Sequence, residues 1–123
     1  MTKEDYCSFE VSKLLKEKGF DEPCRAVYEE KVLRTNTLCE YHNSELSSYV
    51  CAPTHQMAMK WLREKYYIYA DPIKQGNYND CSEYYTWIVA RMGIIHRNSS
   101  VADKLSYKEA VEAALKYSLE NLI

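Results

Sequence analysis

Two cysteine–histidine pairs in the middle of the chain have the side chains that bind zinc. His42 follows Cys39 by three positions, and His55 follows Cys51 by four. Two thiolates and two imidazoles are the ligand types and the number that suit a tetrahedral zinc site. The spacing is unusual for a zinc motif, because Cys51 and His55 flank Pro53 where a strand is expected to meet a helix. A zinc site is therefore one interpretation of these four residues, and a chance grouping of a buried thiol with surface imidazoles is the other.

Cys51 and His55 also form a local thiol–imidazole pair, the arrangement of a nucleophile and its base. Catalysis would further need a group that orients the histidine and donors that stabilise an oxyanion, and the sequence marks neither. The sequence lacks the motifs of P-loop, serine hydrolase, zinc protease, dinucleotide-binding and deaminase sites, and only three glycines are present for phosphate-binding turns. We therefore expect a protein that is not an enzyme and needs no cofactor.

Tyrosine accounts for 12 of the 123 residues and concentrates around one predicted hairpin. A tyrosine ring gives rigid amphipathic contact area and can stack on a nucleobase, so such a cluster suits a protein interface or a nucleotide pocket. The preference of tyrosine for β-strands gives a purely structural alternative. With two nearby arginines included, the predicted binding residues are Tyr66, Tyr67, Tyr69, Tyr78, Tyr84, Tyr85, Arg63 and Arg91.

The segment from Ala52 to Asp71 is expected to position most of these residues. Pro53 and Thr54 suit the first turn of a helix, since proline has no N–H to lose and threonine can cap the following amides. Apolar residues then recur at helical spacing, and the sequence changes to an aromatic and β-branched run that predicts a strand. Asp71-Pro72 predicts a turn after that strand, and residues 73–83 predict a long hairpin loop.

The rest of the chain supplies the other predicted elements. A cap at Ser8 and a stop at Gly19 predict a first helix, and a capping box of Ser106 with Glu109 predicts a C-terminal helix. Strands are predicted at residues 24–28, 32–34, 49–51 and 84–92, and an irregular loop at residues 35–48. These elements predict an α+β fold in which three helices pack on one mainly antiparallel sheet of about four strands.

Length, charge and cysteine usage narrow the class of protein. The chain fits a single domain over residues 1–123, with 46% apolar residues to form a core. Sixteen basic and eighteen acidic residues give a net charge of −2 without a basic stripe, so dedicated nucleic-acid binding is not expected. No apolar run is long enough to cross a membrane, and the N-terminal residues do not resemble an export signal. Five cysteines without a C-x-x-C motif favour reduced thiols in the cytoplasm.

An A-P-T motif followed by a helix with W-L-R-E, at residues 52–64, is combined with a Y-x-E-A-x-E-A helix at residues 107–123. Together with residues 7–20, these stretches resemble small uncharacterised proteins encoded by phages and prophages of gut Bacteroides-type bacteria. The resemblance implies an accessory role inside a bacterial host, where many small phage proteins obstruct host defences. It implies no catalytic residue and no cofactor.

The leading hypothesis is a non-enzymatic accessory protein that binds and obstructs a host bacterial protein, such as an anti-phage defence factor, in the cytoplasm of the bacterial host. It would use the tyrosine-rich hairpin and the loop at residues 73–83. The alternative is a sponge-like protein that sequesters a small nucleotide signal. In that case tyrosines would stack on the base, and Arg63, Lys65 or Arg91 would oppose its phosphate across a homo-oligomer interface.

Overall fold

The computed structural model describes residues 5–35, 38–76, 83–99 and 104–123. The described elements are α1 (Phe9–Glu17), β1 (Val27–Glu29), β2 (Val32–Arg34), a 3-10 turn (Asn43–Glu45), β3 (Val50–Cys51), α2 (His55–Tyr66), β4 (Ile68–Gln75), β5 (Tyr84–Arg91), β6 (Ile94–Asn98) and α3 (Tyr107–Asn121). The predicted α+β class is confirmed. Contacts divide the chain into two compact units, Met1–Ala58 and Met59–Ile123, and each is described by itself. The prediction of one domain stays a prediction.

The described strands form two three-stranded antiparallel sheets, in the orders β2-β1-β3 and β4-β5-β6, where the sequence predicted one sheet of about four. In the first sheet, Val27 of β1 pairs with Arg34 on one side and with Cys51 on the other. Both sides of the central strand are therefore occupied by strands from the same unit. In the second sheet β5 is the central strand, because it pairs with β4 on one side and with β6 on the other. The sequence did not predict β6.

Local signals that the sequence contains build helix α1 of the first unit. The Ser8 hydroxyl accepts from the Val11 amide at 3.2 Å and caps the first turn. At the other end, Gly19 has a φ of 94°, and the Phe20 amide donates to the Leu15 carbonyl at 2.9 Å. This is the predicted Schellman stop, and it buries Phe20 beside Leu15 in the core.

Strand β4 runs through Asp71-Pro72, where the sequence predicted a turn. Its eight residues pair with β5 without interruption, from Ile68 opposite Arg91 to Gln75 opposite Tyr84. Proline is tolerated because β4 is an edge strand and its missing N–H leaves no gap in a second ladder. The predicted loop accordingly starts later than Ile73, and residues 77–82 of it lie outside the described part of the chain.

The chain turns back after β5 through a two-residue hairpin. Met92 and Gly93 have φ values of 52° and 81°, and Arg91 pairs with Ile94 on either side of them. Two consecutive positive φ angles are typical of a type I′ turn, whose twist matches the strands that it joins. The sequence predicted only that Gly93 ends the strand.

Helix α3 covers one face of the second sheet. The predicted capping box is confirmed, since the Glu109 amide donates to Ser106 Oγ at 3.1 Å and the Ser106 amide donates to Glu109 Oε1 at 2.9 Å. The Tyr117 ring lies 5.8 Å from the Trp87 ring of β5, and the α3 side chains Val111, Leu115 and Leu119 are fully buried. Side chains alternate along a strand, so β4 and β5 turn every second residue to the opposite face.

Of the helices that the structure describes, none combines the length and the apolar character needed to cross a membrane.

Candidate functional site

The tyrosines that the sequence predicted as binding residues do not converge on one pocket. Tyr69 and Tyr84 share the sheet face opposite α3, but Tyr69 pairs with Ala90 at one end of the ladder and Tyr84 pairs with Gln75 at the other. Six residues of strand separate the two positions, which is about 20 Å. A single base cannot stack on both rings.

Tyr66 and Tyr85 make aromatic contacts within the second unit. The Tyr66 ring meets the Trp61 ring edge-on at 5.3 Å, and Lys65 Nζ lies over both. The Tyr85 ring meets the Tyr107 ring of α3 at 5.3 Å, also edge-on. Both tyrosines are half-buried, so at these two positions the structural interpretation of tyrosine usage has direct support.

Tyr67 is the most exposed of the described tyrosines in the predicted set, at 62%. It joins α2 to β4 with a φ of 58°, and its amide donates to the Arg63 carbonyl at 3.2 Å. Glycine is the usual residue at such a left-handed helix end, because a β-carbon is strained there. The chain therefore keeps a large exposed ring at a position that disfavours it.

The two predicted arginines lie at different places in the second unit. Arg91 ends β5, and its Nη1 donates to the Leu122 carbonyl at 3.4 Å, where a cation suits the C-terminal end of α3. Arg63 lies in the last turn of α2 and is half-buried. The remaining predicted residue, Tyr78, lies outside the described residues.

The β5–β6 hairpin adds three exposed apolar residues that are not among the predicted binding residues. Met92 is 78% exposed, Ile94 64% and Ile95 58%. The register aligns Tyr69, Ala90 and Ile95 in one row across the three strands, and it places Ile94 beside Arg91 and Ile68. The start of β4 and the hairpin thus meet at one end of the sheet. We call the set Tyr67, Tyr69, Met92, Ile94 and Ile95 the apolar patch.

One signal in the sequence could have revealed the hairpin. Met92-Gly93 stands between two apolar runs, and a dipeptide ending in glycine between such runs is a short-range hairpin signal. With the turn in place, Ile94 and Ile95 become consecutive residues of an edge strand. One of them then has to face away from the core.

The four candidate zinc ligands are not assembled into one site. His42 Nδ1 lies 2.7 Å from the Asp21 carbonyl, Cys39 is exposed, and His55 is buried in the first turn of α2. Within the described ranges, 5–35, 38–76, 83–99 and 104–123, no three histidine, cysteine or acidic side chains are grouped so that they could hold a metal ion.

The Cys51 thiol is held by Cys24 and Tyr41. Cys51 Sγ donates to the Tyr41 carbonyl at 3.3 Å, Cys24 Sγ donates to the Glu22 carbonyl at 3.5 Å, and the two thiols are in electrostatic contact. This contact holds the pKa of Cys51 below its usual range, helped by the charges of His42 and Lys16, while it raises the pKa of Cys24 together with burial.

The pKa of the His42 imidazole is raised, chiefly because its ring N–H is bonded to the Asp21 carbonyl. The Asp21 carboxylate in turn accepts from the Ser44 amide at 2.8 Å, which lowers the pKa of Asp21. These bonds tie the segment around the 3-10 turn to the chain that follows α1. They give the His42 side chain a structural role in holding this segment.

No protein-family model, no curated protein and no solved structure matches this chain.

Proposed function

We propose that the protein is a non-enzymatic phage-type accessory protein that binds a host protein in the bacterial cytoplasm and obstructs it, with the apolar patch as its contact surface. The observation that carries the proposal is the exposure of five large apolar side chains at one end of the second sheet. The register puts Tyr69 and Ile95 on one face of the sheet and Ile94 on the other, at the same end. Large apolar side chains exposed at one place are typical of an interaction site, and tyrosine and methionine are enriched at interfaces.

The residues beside the patch indicate the chemistry of the partner. Lys65, His96 and Arg97 are exposed and lie within two positions of patch residues in the chain. Of the acidic residues near the patch in sequence, Asp71 follows Tyr69 by two positions and is half-buried, while Glu64 is paired with Lys60 at 3.9 Å. The exposed cations Lys65 and Arg97 beside an apolar centre favour a partner surface that combines apolar side chains with carboxylates, because complementary charge steers association.

The conformation of Tyr67 gives independent support. A left-handed residue other than glycine or asparagine costs free energy, and such residues cluster at functional sites. Tyr67 is also too exposed for core packing to explain its ring. A contact made by the ring outside the chain would account for a tyrosine at this position.

The nucleotide-sequestering alternative gains no such support from the described residues. Its two co-facial tyrosines, Tyr69 and Tyr84, lie at opposite ends of the β4–β5 ladder. Arg91, one of its proposed phosphate ligands, donates to the end of α3.

Affinity purification from lysate of a Bacteroides-type host tests the proposal with matched variants. Met92→Ser and Ile95→Ser remove apolar side chains from the patch, while Leu38→Ser removes one that is 98% exposed in the first unit. We expect one host protein at stoichiometric yield with the wild type and with Leu38→Ser, and its loss with the two patch variants. Equal recovery with all four proteins would reject the patch as the contact surface. A nucleotide released from the denatured wild type, with no host protein recovered, would replace the proposal by the alternative.

A further inference from the structure

Three of the five cysteines are buried together in the first unit, and the proposed function uses none of them. Cys7 and Cys51 have no exposed surface, and Cys24 has 3%. Cys24 and Cys51 are far apart in the sequence, so only the fold brings them together. Cys39, by contrast, is exposed.

The backbone of Tyr41 is hydrogen-bonded to both Cys24 and Cys51. Cys24 and Tyr41 form an isolated antiparallel bridge, in which the Cys24 amide donates to the Tyr41 carbonyl at 2.9 Å and the Tyr41 amide donates back at 2.8 Å. The same carbonyl oxygen accepts from Cys51 Sγ at 3.3 Å. The Cys24 amide and the Cys51 thiol therefore converge on one acceptor, and the Cys24 thiol donates to the nearby Glu22 carbonyl at 3.5 Å.

We propose that Cys24 and Cys51 form a reversible intramolecular disulfide when the protein meets hydrogen peroxide. Disulfides of cytoplasmic proteins are usually transient, and they form where a thiolate has a second thiol beside it. Cys51 is the attacking sulfur, since the contact with Cys24 and the nearby cations favour its thiolate.

The oxidation balances in two steps. The Cys51 thiolate attacks one peroxide oxygen, the O–O bond breaks, and the departing hydroxide takes a proton to become water, which leaves a sulfenic acid on Cys51. The Cys24 sulfur then attacks the Cys51 sulfur, the S–O bond breaks, and hydroxide leaves with the Cys24 proton as a second water. Two thiols and one peroxide give one disulfide and two waters, with both sulfurs oxidised and both peroxide oxygens reduced.

Access to the buried pair comes through local opening. The segment that carries Tyr41 meets Cys24 through a single bridge instead of a ladder, and separating this segment alone costs less than global unfolding. The rate of oxidation should then be limited by this opening. It should be slow beside the oxidation of an exposed thiolate.

The test treats the folded, fully reduced protein with hydrogen peroxide, blocks the remaining thiols and maps the peptides by mass spectrometry. We expect a product that has lost two hydrogen atoms, a Cys24–Cys51 peptide pair, and restoration of both thiols by dithiothreitol. Cys39→Ser is the matched control and should give the same product. Cys24→Ser should instead leave Cys51 as an oxygen adduct, or as a mixed disulfide when glutathione is present.

A second measurement keeps the proposal falsifiable if Cys24→Ser does not fold. The wild type is oxidised in denaturant, where any pairing set by the fold should give way to a mixture that includes Cys39. The proposal is overturned if the folded wild type gains only oxygen, if its disulfide involves Cys39 or joins two molecules, or if folded and denatured proteins give the same mixture.

Discussion

Replacing Tyr67 tests how the left-handed link between α2 and β4 affects stability. Tyr67→Gly and Tyr67→Ala both remove the ring, so the contacts of the ring are lost equally and cancel when the two variants are compared. They differ only in the β-carbon, at a residue whose φ is 58°. The comparison therefore isolates the backbone strain.

The magnitude follows from two opposing contributions. A β-carbon in the left-handed region costs roughly 1–2 kcal/mol, which glycine avoids. Glycine loses more conformational freedom on folding, which costs it about 0.5–1 kcal/mol relative to alanine. The midpoints of these two ranges differ by about 0.75 kcal/mol, so we expect the glycine variant to be the more stable by about that amount, which is roughly a three- to four-fold higher ratio of folded to unfolded protein.

Tryptophan fluorescence during urea unfolding measures this difference where it arises. The chain has two tryptophans, Trp61 and Trp87, and both belong to the second unit, as does Tyr67. The midpoint should be higher for Tyr67→Gly than for Tyr67→Ala at equal slope. If the alanine variant is instead the more stable by about 0.5–1 kcal/mol, only the entropy cost of glycine remains, and left-handed strain no longer supports Tyr67 as a binding residue.

Three further predictions concern the core, the His42 imidazole and the Glu109 cap of α3. Leu115→Ala in α3, at a fully buried position, should lower the free energy of unfolding by about 2–5 kcal/mol in urea titration, whereas Leu38→Ala at 98% exposure should change it by less than about 0.5 kcal/mol. The pKa of His42 is raised, so the charged imidazole stabilises the fold below the ordinary histidine pKa. This stabilisation is lost as the pH rises through the pKa of His42 in the folded protein, and the thermal midpoints of wild type and His42→Gln should therefore converge toward alkaline pH. The pKa of Glu109 is lowered by the Ser106 amide, so its contribution is present above the ordinary glutamate pKa and is lost on acidification; thermal midpoints of Glu109→Gln should fall below the wild type at neutral pH and meet it in acid.

The sequence predicted the features of the fold that depend on neighbouring residues. Ser106 with Glu109, and Gly19 with Phe20, act within one helical turn, so their residue types were sufficient to indicate caps and stops. The helix start after Pro53 was also predicted, and Thr54 Oγ1 accepts from the Met57 amide at 3.3 Å. These signals are local and survive in almost any tertiary context.

Features that depend on distant partners were missed. Asp71-Pro72 is a turn signal that β4 overrides, since eight ladder pairs with β5 outweigh a local preference. The sequence suggested His55, four residues away, as the neighbour of the Cys51 thiol, whereas in the structure that thiol interacts with Cys24. Pairing between strands and between thiols is decided by tertiary geometry, which sequence spacing does not encode.

Positive φ angles alone do not mark a functional surface in this protein. Glu30 and Lys31, with φ values of 49° and 70°, form the tight turn between β1 and β2 and are polar and exposed. That turn places charge in water and needs no other explanation. Tyr67 and Met92 have the same backbone conformation, but they expose large apolar side chains at one end of one sheet.

Tyr67 and Met92 each carry two free-energy costs. The positive φ angle strains the backbone, and the exposed side chain puts apolar surface in water. Glycine or asparagine at either position would relieve the strain and remove exposed apolar surface at once. Residues that break local rules without a compensating gain inside the fold are expected where function requires them. The combination of strain and apolar exposure, which Glu30 and Lys31 lack, is therefore the reason that we propose the apolar patch as the contact surface.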